Sequence, residues 1–179
     1  AVFTAGEETG LFGAGTVDLS SYHPSCAYVF DCSKRPGVYI SESVGLSTFT
    51  AQFIGKSAHS GVAPEEGVSA IQLAAQAISR LQLGRLDSDT TANIGTIKGG
   101  EAVNAIPEKV SIEGEVRSFT LDRINDQLRV IEQTLCASVD GVGKLVFVPQ
   151  QDFAPYVLSP NAPMVIHLER AMRSVGLQP

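Results

Sequence analysis

An α+β fold follows from two strand–helix pairs in the chain: stretches with strand-like alternation, residues 48–53 and 110–117, each followed by a helical apolar period, residues 68–81 and 121–135. In the first stretch Phe49, Ala51 and Phe53 alternate with Thr48, Thr50 and Gln52, the period of a strand with one buried face. Gly55 ends it, and a loop from Lys56 to Pro64 leads to Glu65-Glu66 and the series Val68, Ile71, Ala74, Ala75, Ile78 and Leu81. That spacing predicts a helix whose first-turn acids complement its dipole and whose stop is Gly84.

Thr91–Lys98 reads as the next strand, and Gly99-Gly100-Glu101 as a turn. Val110, Ile112 and Val116 then face one way while Ser111, Glu113, Glu115 and Arg117 face the other. Leu121, Ile124, Leu128, Ile131 and Leu135 mark the second helix, and Lys144–Pro149 a closing strand. The order β-α-β-β-α-β is the ferredoxin-like, split βαβ arrangement: a four-stranded antiparallel sheet with both helices on one face, over roughly residues 46–152. Its other face must be covered or polar.

The flanks have α/β character. Val2-Phe3-Thr4-Ala5 reads as a short strand, followed by a glycine-rich turn, a short helix and strands near Ala27–Asp31 and Gly37–Ser43. After Pro155, the spacing of Ala162, Val165, Ile166, Leu168, Ala171 and Met172 predicts a helix ending near Gly176. Two outer pieces around a compact centre suggest an inserted domain, with segments 1–45, 46–155 and 156–179. The flanks are expected to pack on each other or on another copy, because their apolar faces need cover.

Composition narrows the function. The chain has 179 residues, 44% hydrophobic and 18% charged, enough apolar material for a core. A net charge of −6 with scattered Lys and Arg offers no basic face for nucleic acid. No long apolar run and no basic-then-apolar leader is present, which reads as cytoplasmic. Three cysteines, Cys26, Cys32 and Cys136, argue against a disulfide scaffold, and with His23 they match no zinc-finger spacing. Gly10, Gly13 and Gly15 do not follow the order of a dinucleotide-binding loop.

The chemistry begins at Gly6-Glu7-Glu8-Thr9-Gly10, just after the first strand candidate. Neighbouring side chains there point apart, so one carboxylate can hold a metal while the other faces the water that the metal activates. A solvated Glu-Glu loop is the plainer alternative. Together with Asp31, the stretch from Gly55-Lys56-Ser57-Ala58-His59-Ser60-Gly61 to Ala70, Asn104-Ala105-Ile106-Pro107 and Glu115-Val116-Arg117, the motif resembles the di-zinc aminoacylase/carboxypeptidase metallopeptidases. Gly84-Arg85-Leu86-Asp87 and Thr90–Gly95 are similar to the peptidase T-like branch.

The resemblance implies that residues 46–155 are a lid and dimerisation domain between catalytic-domain segments. It implies Glu7 as general base, Glu8 and Asp31 as ligands of two zinc ions, and hydrolysis of short peptides from the amino end. It also implies His59 as an oxyanion donor, in many relatives from the opposite protomer of a dimer, Asn104 as a substrate-backbone or oxyanion contact, and Arg117 as the clamp on a peptide carboxylate. For each the sequence leaves a plainer role open: a strand-end cap for Asp31, a structural histidine, a turn asparagine, and a surface ion pair of Arg117 with Glu113 or Glu115.

The family's remaining metal ligands lie upstream of the Glu-Glu motif and beyond Gly176–Pro179, so the chain is expected to be inactive alone. Two other readings stay open: an amidohydrolase, deacylase or carboxypeptidase with the same metal core, and a non-catalytic module that associates through an exposed strand edge.

Overall fold

The first flank holds little regular structure. The computed structural model describes residues 2–6, 12–20 and 22–179, so Glu7 and Glu8 lie outside the described residues. Here α1 is a single turn, Phe12–Gly15. The strands expected at Val2–Ala5 and Ala27–Asp31 are instead irregular chain, and of Gly37–Ser43 only β1, Glu42–Ser43, is strand. The physical reason is pairing: a strand's N–H and C=O groups need a ladder, and no neighbouring strand among the described residues takes up the first two segments.

The centre follows the expected order. β2 (Gly45–Ile54) leads through β3 (Ala58–His59) and a 3-10 turn, Pro64–Glu66, to α2 (Ala70–Ile78). Then come β4 (Gly84–Arg85), β5 (Thr90–Gly99), β6 (Ala105–Ile106) and β7 (Lys109–Ser118). The chain continues as α3 (Leu121–Ala137), β8 (Lys144–Phe153), β9 (Tyr156–Val157) and α4 (Pro163–Ser174). The main sheet is antiparallel in the order β4-β5-β7-β2-β8. Four long strands carry the expected topology, and the two-residue β4 adds a fifth at one edge.

Period-two side chains decide which face is core. Phe49, Ala51 and Phe53 of β2 meet Val110, Ile112 and Val116 of β7 beneath α2 and α3, all fully or nearly fully buried. Gly114 belongs to this face: a Cβ there would collide with the Phe49 ring and the Asn93 carbonyl, so the glycine makes room for the aromatic packed over it. Thr48, Thr50, Gln52, Ser111, Glu113, Glu115 and Arg117 line the opposite face, which is polar on β2 and β7 and carries the exposed Val146 and Val148 on β8.

α3 matches its period, burying Ile124, Leu128, Ile131 and Leu135, and the Thr120 side chain accepts the Arg123 N–H as its N-cap. The frame of α2 differs from expectation. Glu65 and Glu66 belong to the 3-10 turn, Val68 bridges to Lys56, and the helix begins only after Ser69, whose hydroxyl accepts the Gln72 N–H. The buried residues are therefore Ala70, Leu73, Ala74 and Ala77, Ile71 faces outward, and the helix ends at Ile78, well before Gly84.

Two compact units result, residues 40–159 and residues 1–39 with 160–179. In the second unit the Tyr28 hydroxyl donates to the Met164 carbonyl at 2.9 Å and the Tyr39 hydroxyl to Glu169 at 2.8 Å. α4 closes with Gly176 at φ 82°; the Gly176 N–H reaches the Arg173 carbonyl and the Leu177 N–H the Met172 carbonyl.

Candidate functional site

His59 ends β3, which pairs antiparallel with β6, placing His59 opposite Ala105 and Ala58 opposite Ile106. The Ser60 N–H then donates to the Asn104 carbonyl at 3.0 Å. Two candidates remote in sequence are thus brought to one end of a two-stranded ribbon, both exposed to solvent. The segment after β6 is tied to the end of β2 and to the start of α2: the Gly55 N–H donates to the Glu108 carbonyl at 2.8 Å and the Ala70 N–H to the Pro107 carbonyl at 2.9 Å. Gly67 packs against it so closely that a Cβ would collide with the Ile106 side chain.

Beside the ribbon lies a cavity of about 150 Å³, lined by Ser57, Gly100, Glu101, Ala105, Ile106, Pro107, Glu108 and Lys109. It is smaller than the roughly 300 Å³ at which ligand pockets usually begin. Neither His59 nor Asn104 lines it. The ribbon therefore presents His59 and Asn104 on an open surface.

Arg117 stands elsewhere. It sits near the far end of β7, roughly 26 Å of strand from Lys109, the end nearest the ribbon. Its Nε and Nη2 donate to the two Glu115 carboxylate oxygens at 2.9 and 3.0 Å, a two-pronged pair on the polar face. That hydrogen bonding is the main reason the Arg117 guanidinium is held above its usual range. An incoming carboxylate would have to compete with Glu115 for the fork.

Asp31 is exposed on irregular chain in the flanking unit. Among the described residues no three His, Cys, Asp or Glu side chains cluster closely enough to hold a metal ion. All three cysteines are free. No helix among the described residues is long and apolar enough to cross a membrane.

The structure thus joins His59 to Asn104 and sets Arg117 apart from both. Sequence reasoning gives no separate role to Gly61, whose N–H donates to His59 Nδ1, or to Gly67, which carries no local signal because the side chain it makes room for is Ile106 on another segment.

Residues 41–137, which hold most of this sheet, both covering helices and the ribbon, match the peptidase dimerisation domain family. Two solved structures share nearly the whole fold. One is aminopeptidase PepT from Bacillus cereus, 32% identical with a TM-score of 0.82, covering 98% of this chain and 48% of that one. The other is a tripeptidase from Staphylococcus aureus, 34% identical with a TM-score of 0.85, covering 98% of this chain and 47% of that one. An uncharacterised Bacillus subtilis protein is 40% identical over 128 residues, 72% of this chain and 34% of its own length. The chain belongs to the peptidase dimerisation domain family, as a peptidase T-like member. It spans just under half the length of those two structures and about a third of the Bacillus subtilis protein.

Proposed function

We propose that the chain is the lid and dimerisation unit, with catalytic-domain flanks, of a zinc-dependent exopeptidase that removes residues from the amino end of short peptides in the cytoplasm. What supports this most is near-complete structural likeness, flanks included, to an aminopeptidase and a tripeptidase. In this reading Glu7 is the general base and Glu8 and Asp31 are zinc ligands. Of these only Asp31 is among the described residues, and one carboxylate falls short of the four or so donors that zinc takes. The described residues therefore do not by themselves form a metal site, and a two-zinc centre needs donors from elsewhere in a longer protein. The chain alone is inactive.

Its own residues would act on the substrate. His59 and Asn104 offer hydrogen bonds to the reacting carbonyl or the backbone beside it, and Arg117, once released by Glu115, binds a terminal carboxylate. With roughly 26 Å of β7 between ribbon and arginine, one tripeptide cannot touch both in a single protomer. A homodimer, in which the ribbon of one copy faces the Arg117 end of the other, resolves that separation. The β5 edge suits the pairing: among the described residues it has no outer strand past Ala92, Ile97 and nearby Ile71 are exposed, and it lacks a proline such as Pro149 of the opposite edge, β8. Sedimentation tests this: the native chain should run as a dimer and Ile97→Glu as a monomer.

Tripeptide hydrolysis with added zinc, on this chain and on the longer protein, tests the activity. Turnover by the longer form alone is expected. Turnover by the short form contradicts the inactivity, and a longer form that cleaves N-acyl amino acids but no tripeptide makes the parent an amidohydrolase or deacylase.

A further inference from the structure

The turn after His59 does more than reverse the chain. The Val62 and Ala63 N–H groups both converge on the His59 carbonyl, at 3.2 and 3.1 Å. That curl carries the Gly61 N–H onto the Nδ1 of His59, at 3.2 Å. A backbone N–H can only donate, so Nδ1 must present its lone pair, and in a neutral imidazole the one proton then sits on Nε2. Nothing else in the turn offers a competing choice: among the described residues Nε2 has no hydrogen-bond partner, and the ring is exposed. Gly61 is not there for space, since a Cβ would meet the ring only at 3.7 and 3.8 Å, ordinary contact, and its backbone is not left-handed.

We infer that the Gly61 N–H is a positioning group that fixes His59 as the Nε2–H tautomer, leaving an outward-facing hydrogen-bond donor for the oxygen of a substrate carbonyl as it gains negative charge. The Ser60 N–H bond to the Asn104 carbonyl holds the same turn from its other side, so the donor and the asparagine move as one piece. No proton leaves His59 in this role. The ring stays neutral and donates, which suits a histidine that must stabilise an oxyanion without acid chemistry of its own. The substrate half of the inference rests on the exopeptidase reading; the tautomer does not.

Two measurements separate them. Long-range proton–nitrogen correlation spectra of the histidine-labelled 179-residue chain, taken well above the usual imidazole range of about 6.5, report which ring nitrogen is protonated; His59→Gln assigns the signal. The wild-type ring should show an unprotonated Nδ1 and a protonated Nε2, Gly61→Ala should keep that pattern, and Gly61→Pro, which lacks the N–H, should move toward the averaged shifts of a free imidazole. A protonated Nδ1 in the wild type overturns the tautomer assignment, and no change in Gly61→Pro overturns the positioning role of the Gly61 N–H.

The second measurement is tripeptide hydrolysis by the longer protein. A Gln amide nitrogen reaches the place of Nε2 and an Asn amide nitrogen that of Nδ1. His59→Asn should lower kcat about 10²-fold at little changed KM, with His59→Gln keeping roughly tenfold more of the rate. Equal losses, or a better Asn variant, overturn the donor role even should Gly61→Pro disrupt the turn. A wild-type protein that leaves tripeptides intact counts against the exopeptidase reading and also overturns the substrate role, while the spectra still decide the tautomer.

Discussion

The two compact units treat their aromatic residues in opposite ways. In residues 40–159 Phe49 and Phe53 are 2% and 0% exposed, while in the flanking unit Phe3 and Phe30 are each 95% exposed and Val29 is 86% exposed. Both sets come from strand-like sequence. One found a ladder and two covering helices; the other did not. Burial therefore depends on a partner surface being present: the central unit supplies its own for Phe49 and Phe53, and the flanking unit supplies none for Phe3, Val29 and Phe30.

Substitutions can break or sharpen that contrast, beginning with the largest effect. Phe53→Ala removes a fully buried ring and should cost about 3–5 kcal/mol in urea denaturation. Phe30→Ala, at the same residue type but exposed, should change stability by no more than about 0.5 kcal/mol. Equal losses at the two positions would erase the distinction between the units. Gly114→Ala forces a methyl against Phe49 and the neighbouring strand, and by the usual penalty for overpacking should cost about 1–3 kcal/mol.

Helix caps give a smaller test. Thr120 caps α3 through its side chain, whereas Ala162 at the start of α4 offers no such bond. Thr120→Ala should therefore lose about 1 kcal/mol in the central unit, and Ala162→Ser should gain a comparable amount in the flank. A flank that gains nothing would mean that α4 is held by packing rather than limited by its end.

The smallest effect is one of pH. The Tyr39 hydroxyl donates to Glu169, and Arg173 pairs with it, which together hold the Glu169 carboxyl below its ordinary 4.5. A carboxyl depressed by folding adds stability above its unfolded value, and that stability is lost as pH falls through the folded value. Protection of α4 amides should therefore weaken on acidification below about pH 4.5, and Glu169→Gln should flatten that dependence. A dependence unchanged in the variant would assign it to other carboxylates.

How much of this was legible in the sequence varied with how local the cause was. β7 and α3 could be read directly because each period has one buried face and no competing frame. For α2 the sequence predicts the helix and its contacts through Val68, Ala74, Ile78 and Leu81 but places its start too early: Glu65-Glu66 suggest a first turn, whereas Gly67 packs against Ile106 and Val68 pairs with Lys56, so Ser69 is the cap and Ile71 faces outward. The flank strands could not be read from propensity, because a strand is completed by its neighbour.

For the candidate site, the sequence names residues but places few of them. His59 and Asn104 meet only through the pairing of β3 with β6, whereas the pairing of Arg117 with Glu115, two residues apart on one strand face, is the plainer alternative that the sequence itself offers. Glu7 and Glu8, the most chemically telling pair in the sequence, lie outside the described residues.

Hydrogen exchange on the 179-residue chain, set beside the same residues within the longer protein, tests the division between the units most directly. Amides of β2 and β7 should be strongly and equally protected in both, while residues 2–5 and 27–31 should exchange freely in the shorter chain and gain protection only in the longer one. Flanks protected alike in both, or a β2 and β7 that gain protection only in the longer protein, would contradict the account.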